Sequence, residues 1–288
     1  MKKDKKGPLL GAHMSIAGGV AKAIEAGSSI GCNAIQIFTK SSRQWVSNQY
    51  SSEEVAEFKR LKKASSIETV IAHDSYLLNL GSPNPALRKK SVGAFIDEME
   101  RCEILEIPYL VAHPGSHTGS GEEAGIKTIA NSLDEIYTAC KGFRTRITLE
   151  ITAGQGSNLG YKFQQIRAMM DSSQFSDQLR VCFDTEHAFA AGYDLRTAEG
   201  YEKTFNDFDR EIGLKKIVAF HLNDSKKEFG SRVDRHEHIG KGFIGEEAFK
   251  MLMNDPRFSD TVMCLETPKG PELSEDVENL KLLRSFIK

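Results

Sequence analysis

Short apolar runs recur along the chain, and most of them end on a histidine or a carboxylate. The runs are residues 9–13 (LLGAH), 34–38 (AIQIF), 69–73 (TVIAH), 109–113 (YLVAH), 147–150 (ITLE), 181–184 (VCFD), 217–221 (IVAFH) and 262–266 (VMCLE). Strands buried on both faces need such β-branched and aliphatic stretches, so a charged or imidazole side chain fits only where the strand emerges. Helix-like segments fill the gaps, at residues 19–26, 53–63, 87–103, 126–138, 163–171, 197–212 and 245–253. This strand–helix alternation predicts an α/β fold, a (β/α)8 TIM barrel, whose active site lies at the C-terminal ends of the strands. An open doubly wound sheet would alternate too, but it would divide its strand ends between crevices. The six runs that end at His73, His113, Glu150, Asp184, His221 and Glu266 predict that these ends converge on one site.

Length and composition agree with one barrel domain over residues 1–288, of which 1–8 form a short charged lead-in; 40% of the 288 residues are apolar, enough for a full core. No Pro/Gly/Ser-rich linker divides the chain. The lead-in lacks the apolar segment of a secretory signal, and no run approaches a membrane span. The five cysteines, without CxxC spacing, read as reduced core thiols. A cytoplasmic protein is expected. Lys+Arg 38 against Asp+Glu 40 leaves −2, which gives no global sign of a nucleic-acid partner. The distribution says more: Lys40 and Arg43 follow the second run, Lys226, Lys227, Arg232, Arg235 and Lys241 the seventh, and Lys269 the eighth. Their concentration in loops predicted at the mouth favours a phosphate-lined approach.

Nine side chains are candidate metal ligands. His73, His113, Glu150, Asp184, His221 and Glu266 close six of the runs, His187 follows Asp184 by three, and Asp234 and His236 lie in a later loop. Imidazole nitrogens and carboxylate oxygens suit zinc, and with no thiolate placed to join them a structural zinc knuckle is disfavoured. The set is too large for one tetrahedral ion; with a bridging carboxylate it suits three. Three divalent ions and four carboxylates leave a positive remainder that a hydroxide and a phosphodiester would neutralise, so such a site is prepared for phosphoryl-ester cleavage. Each residue alone has a plainer reading. His13, His117 and His238 are left as hydrogen-bonded structural residues, Asp184 can be a helix N-cap with His187 as its partner, and 234–238 can be a solvated loop. Jointly, at one mouth of one barrel, the plainer readings lose.

These residues also carry a resemblance. HDSYL at 73–77 followed by NLG at 79–81, HPGS at 113–116, DTEHA at 184–188, HLNDSK at 221–226 and DRHEHIG at 234–240 resemble endonuclease IV, and the likeness runs from Gly11 to Glu266. The resemblance implies a TIM barrel with three zinc ions, manganese remaining open at one site. It implies cleavage on the 5′ side of abasic sites in duplex DNA, leaving a 3′-hydroxyl and a 5′-deoxyribose phosphate, and removal of blocking groups from 3′ ends. On this likeness His73, His113 and Glu150 hold one ion. Glu150 bridges to a second, completed by Asp184, His221 and Glu266, while His187, Asp234 and His236 hold the third. Glu150 is thereby the central catalytic residue. Arg43, Tyr76 and Leu77 match the residues that enter the duplex at the lesion, where an aromatic and an apolar wedge can fill the gap left by a missing base. A monomer is expected.

Two positions depart from the family pattern. Glu186 stands where a small residue is usual, beside His187, and Ser41-Ser42 replaces the more typical Asn–Gln before Arg43. The rival enzyme is a sugar isomerase or epimerase of the same barrel superfamily, using Glu150, Asp184, His221 and Glu266 for one divalent ion. It would leave the other five candidates without a purpose. A non-catalytic lesion binder with structural metals is the third reading; closed structural zinc sites take four protein ligands, which two of the three groups lack.

Overall fold

The computed structural model describes residues 8–288, so all but the last residue of the charged lead-in lies outside the described residues. Eight parallel strands close into a barrel: β1 (Leu9–Met14), β2 (Ala34–Phe38), β3 (Thr69–His73), β4 (Tyr109–Ala112), β5 (Arg146–Glu150), β6 (Arg180–Asp184), β7 (Ile217–Leu222) and β10 (Val262–Leu265). Neighbours in sequence are neighbours in the sheet, and β10 returns to pair with β1. The apolar runs at 9–13 through 262–266 are therefore the eight staves, to within a residue or two at each end.

Seven predicted helical stretches form as α1 (Val20–Ser29), α2 (Ser52–Ala64), α3 (Pro85–Ile104), α4 (Glu122–Ala139), α5 (Phe163–Ser172), α7 (Ala198–Glu211) and α8 (Glu246–Met253). Local chemistry sets their starts. Ser51 caps α2 by accepting from the Glu54 N–H, while the Glu54 carboxylate accepts from the Ser51 N–H. Asn84 caps α3 with Pro85 in its first turn. Outside the predicted set lie α6 (Thr185–Ala191), α9 (Ser274–Ser285), a two-stranded antiparallel pair of β8 (Asp224–Ser225) and β9 (His236–Glu237), and short 3-10 turns at Leu214–Lys216 and Pro256–Phe258.

The period of two along each strand places the site. Ala34, Ile71, Val111, Cys182, Ala219 and Cys264 belong to a small apolar cluster apart from the main core. Two residues further along the same strands come Gln36, His73, His113, Asp184, His221 and Glu266, on the same face of each strand and one layer nearer the mouth. The barrel thus has an apolar plug beneath a polar layer. The alternate positions, such as Phe183 and Phe220, join the aromatic packing of Phe205, Phe208 and Phe258 outside the sheet. All five cysteines are free and buried. No helix among the described residues is long and apolar enough to cross a membrane.

Candidate metal centre

The barrel brings the nine predicted residues together. Three overlapping groups form, in each of which one donor atom per residue lies within 4.8 Å of the others: His73, His113 and Glu150; Glu150, Asp184, His221 and Glu266; and Asp184, Glu186, His187 and His236. Asp234 faces the third group, with its carboxylate 3.3 Å from both His187 Nε2 and His236 Nε2. Glu150, fully buried, is common to the first two groups; its oxygens lie 2.9 Å from His73 Nε2 and 2.9 Å from His221 Nδ1.

The imidazoles are held by their far nitrogens. His73 Nδ1 donates to the Asp74 carbonyl at 2.9 Å, and His187 Nδ1 to the Ile151 carbonyl at 2.9 Å. His236 Nδ1 points to the Glu266 carbonyl at 3.4 Å. His221 is turned the other way, with Nε2 2.8 Å from Gln36 Oε1. The Gln36 amide nitrogen lies 2.5 Å from Glu266 Oε1, where only a donor fits, so its oxygen must face His221 and accept. Carbonyl and amide oxygens cannot donate, so each of these rings keeps its proton on the far nitrogen. The near nitrogen then presents a lone pair to a carboxylate. Two acceptors at 2.9 Å repel unless a proton or a metal cation lies between them.

The titration of these groups follows the same geometry. Burial opposes charge on His73, but its contacts with Asp74 and Glu150 outweigh that and hold it well above the ordinary histidine range. His187 is raised well above that range for the same reason, with Asp184 and Asp234 as partners. Burial likewise opposes ionisation of Glu150, yet the charges of His221 and His113 keep its carboxyl well below the usual range. Asp234 is lowered to about 2, its contact with His187 prevailing over burial. The pocket favours anionic carboxylates facing cationic partners, which a divalent ion satisfies as well as protons do. Three buried donor atoms of the third group have no hydrogen-bond partner among the described residues: His187 Nε2, His236 Nε2 and Glu186 Oε2. Imidazole and carboxylate donors with orphaned lone pairs fit zinc.

The supporting residues explain the sequence motifs. Asp184 ends β6 and caps α6, its Oδ1 accepting from the His187 N–H at 2.8 Å, so the cap and the ligand reading coexist in one residue. Asn223 donates to Asp184 Oδ2 at 2.7 Å and accepts from the Glu266 N–H at 3.0 Å. Asp224 organises the following loop, accepting from the N–H groups of Ser225, Ile244 and Gly245. Asn79 staples the loop after β3 to the loop after β4: its Oδ1 accepts from Gly81 and Ser116, and its Nδ2 donates to the Ser116 carbonyl. A Cβ at Gly115 would sit 2.7 Å from that Asn79 oxygen, and the backbone φ of 128° admits only glycine comfortably.

Gln36 is the functional residue that pattern reading missed. A polar side chain in the middle of the run AIQIF is the signal that could have found it. His13 lies 3.0 Å from the Gln36 amide nitrogen and 3.7 Å from Glu266, a support at the edge of the cluster. His117 accepts from the Gly119 and Gly121 N–H groups and His238 contacts Asn279, both structural as expected.

Arg43 and Tyr76 are exposed, Tyr76 by 69%, and Leu77 is half-buried beside them. The Tyr76 ring lies edge-on to Phe38, with centroids 5.4 Å apart. Ser75 Oγ donates to the Ser42 carbonyl at 2.7 Å, joining the two loops that carry these residues. The link uses the backbone of residue 42, so the unusual Ser41-Ser42 pair keeps it. Of the basic residues expected at the mouth, Lys226, Lys227, Arg235 and Lys241 are exposed, as is Arg232. Two expectations are corrected. Lys40 is buried, with its Nζ 2.9 Å from Asp97, 3.2 Å from Glu98 and 3.2 Å from the Ala94 carbonyl. Lys269 is tied to Asp276 at 2.6 Å and to the His13 carbonyl at 2.9 Å. Neither is available to a phosphate.

Comparison with known proteins agrees with this architecture. A family model described as a xylose isomerase-like TIM barrel matches residues 24–286. The chain is 51% identical over 280 residues to a probable endonuclease 4 of Chloroflexus aurantiacus, covering 97% of this chain and 98% of the relative. It is 52% identical over 281 residues to that of Chloroflexus aggregans, covering 98% of each. The crystal structure of endonuclease IV from Thermus thermophilus superposes with a TM-score of 0.85 at 39% identity, covering 97% of this chain and 98% of that one. A D-tagatose 3-epimerase-like protein matches at a TM-score of 0.73 and 21% identity, covering 96% of each chain, a likeness of fold alone. Half of all positions shared over nearly the whole length, on a barrel of the same course, place this chain in the endonuclease IV family.

Proposed function

We propose that this protein is a zinc-dependent endonuclease that cleaves DNA on the 5′ side of abasic sites and clears blocked 3′ ends, acting as a monomer in the cytoplasm. One observation carries the reading: imidazole nitrogens, oriented by acceptors behind them, present lone pairs to the buried Glu150 at 2.9 Å and to the partly exposed Asp234 at 3.3 Å, an arrangement that metal cations between them would satisfy. His73, His113 and Glu150 would hold one ion, Glu150, Asp184, His221 and Glu266 a second, and His187, Asp234 and His236 a third. Zinc bound there would supply Lewis acidity at the scissile phosphate and at the leaving oxygen. Glu150 would keep the first two groups together. Arg43, Tyr76 and Leu77, on loops joined through Ser75, would enter the duplex where a base is missing. A one-ion sugar isomerase would use Glu150, Asp184, His221 and Glu266 and would leave His73, His187 and His236 oriented for nothing and His113 beside Glu150 without a role.

Two measurements on the purified protein test this reading together, elemental analysis and incision of a duplex carrying one abasic site. About three zinc ions per chain and strand cleavage are expected. Glu150→Gln keeps the shape but loses the charge that two cations share, so it should fold, bind less zinc and fail to cut. Near-normal incision by Glu150→Gln, or a single manganese-like ion per chain, would overturn the proposal.

A further inference from the structure

Glu186 immediately precedes His187 in the first turn of α6, and it is completely buried. Its two oxygens have different surroundings. Oε1 accepts from Ser225 Oγ at 3.0 Å and from the Arg235 N–H at 3.1 Å, which fixes the side chain between β8 and the segment leading into β9. Oε2 is buried and accepts from nothing among the described residues. A carboxylate oxygen left without a partner in the interior is costly, and the tether through Oε1 prevents the side chain from turning out to water. His187 Nε2 and His236 Nε2 are also buried without a well-formed hydrogen bond, with the Asp234 carboxylate 3.3 Å from each. A donor atom of Glu186 lies within 4.8 Å of donors from His187, His236 and Asp184.

We propose that Glu186 is a protein ligand of the cation held by His187 and His236, closing that site with a carboxylate in addition to Asp234. This rests on the three-ion reading above and adds a donor to it. Two imidazoles and two carboxylates make a complete set for a tetrahedral zinc ion, and closed sites of that kind retain their metal. The same side chain also sets the position of one of its fellow ligands. Arg235, whose N–H it accepts, is the neighbour of His236, so the hairpin and the ion are fixed by one residue. The group His73, His113 and Glu150 then keeps the smallest protein donor set of the three, and with it the room for a substrate oxygen.

The test compares zinc-loaded wild type with Glu186→Ala, Glu186→Gln and Ser225→Ala, checked for folding by circular dichroism. Zinc content is measured, and release to a chromophoric chelator is followed in time. Wild type should release about three ions slowly; in Glu186→Ala one of them should leave at least about tenfold faster. Glu186→Gln, nearly isosteric but uncharged, should resemble Glu186→Ala, and it carries the test if the alanine variant does not fold. Ser225→Ala removes a tether and leaves Oε2 in place, so it should release zinc as wild type does. Unchanged release from both Glu186 variants overturns the proposal while leaving the three-ion reading intact. Release from Ser225→Ala as fast as from Glu186→Ala also overturns it, making Glu186 a tether only. Fewer than three ions in wild type overturns the three-ion reading and this inference with it.

Discussion

A histidine at a strand end becomes a metal donor only when something fixes the direction of its lone pair, and here that work falls on groups with no charge. Carbonyls of Asp74 and Ile151 do it for His73 and His187, and the Gln36 amide does it for His221. Gln36 acts twice, since its nitrogen also holds Glu266. Gln36→Leu should therefore fold yet lower zinc affinity at the Glu150–Asp184–His221–Glu266 group by about 10–100-fold, the usual cost of losing such a support, as measured by competition with a chelator. Unaltered affinity would mean that Asn223 and the barrel alone orient these ligands. On the proposed function, Tyr76 would serve recognition rather than metal binding. It is exposed, rests edge-on to Phe38, and its ring centre lies 6.2 Å from that of His73. Tyr76→Ala should raise the apparent KM on an intact duplex with one abasic site, where insertion must offset unstacking, and do less harm on a gapped 3′-blocked end. Zinc content should stay the same; a lost ion, or equal losses on both substrates, would show that the ring supports the centre itself.

At the scale of elements, the two loops that carry Arg43 and Tyr76 are anchored by α3. Glu98 on that helix accepts from the Ser75 N–H at 3.2 Å and pairs with Lys40, while Ser75 Oγ reaches the Ser42 carbonyl. Burial, then the nearby charge of Asp74, push the Glu98 carboxyl up to about 8 from 4.5. The folded state thus keeps a proton that the unfolded chain has lost, so the stability this proton confers is present at low pH and disappears as pH rises from about 4.5 through about 8. Chemical denaturation at about pH 6 and about pH 9 should show wild type losing more stability over that interval than Glu98→Gln, by up to a few kcal/mol. Parallel curves would mean that Lys40 keeps Glu98 ionised throughout. This network also shows where the sequence was opaque. The run endings at His73, Glu150 and Asp184 were legible because a two-residue period and a sudden polar stop are local signals. Lys40 read as a free loop cation because its partners, Asp97 and Glu98, are more than fifty residues away in sequence and meet it only in the fold. Helix α6 was legible only through the candidate N-cap at Asp184, because no loop separates it from β6 and the same residue ends the strand. The hairpin of β8 and β9 has two residues per strand, too few to show any period.

On the scale of the whole molecule, a net charge of −2 gives no attraction to DNA, so binding must come from how the charges are arranged. The negative charge at the mouth is concentrated in Glu150, Asp184, Asp234 and Glu266, which bound cations would neutralise. The positive charge is on the surface: Lys226, Lys227, Arg232 and Lys241 are exposed in the segments after β7, whereas Lys40 and Lys269 are engaged in internal ion pairs. One of the four is also positioned by packing, the Arg232 guanidinium lying 3.9 Å from the centre of the Tyr161 ring. If these side chains meet the phosphates of a bound duplex, each contact releases counterions, and the logarithm of affinity falls with the logarithm of salt by about 0.9 per contact. Changing Lys226, Lys227, Arg232 and Lys241 together to alanine should then flatten the salt slope by up to about 3–4 and weaken binding equally on abasic and intact duplexes. Zinc content and cleavage at saturating DNA should change little, because none of the four touches the cluster. A slope unchanged from wild type would put the duplex on another part of the rim and leave these residues as solvated surface charge.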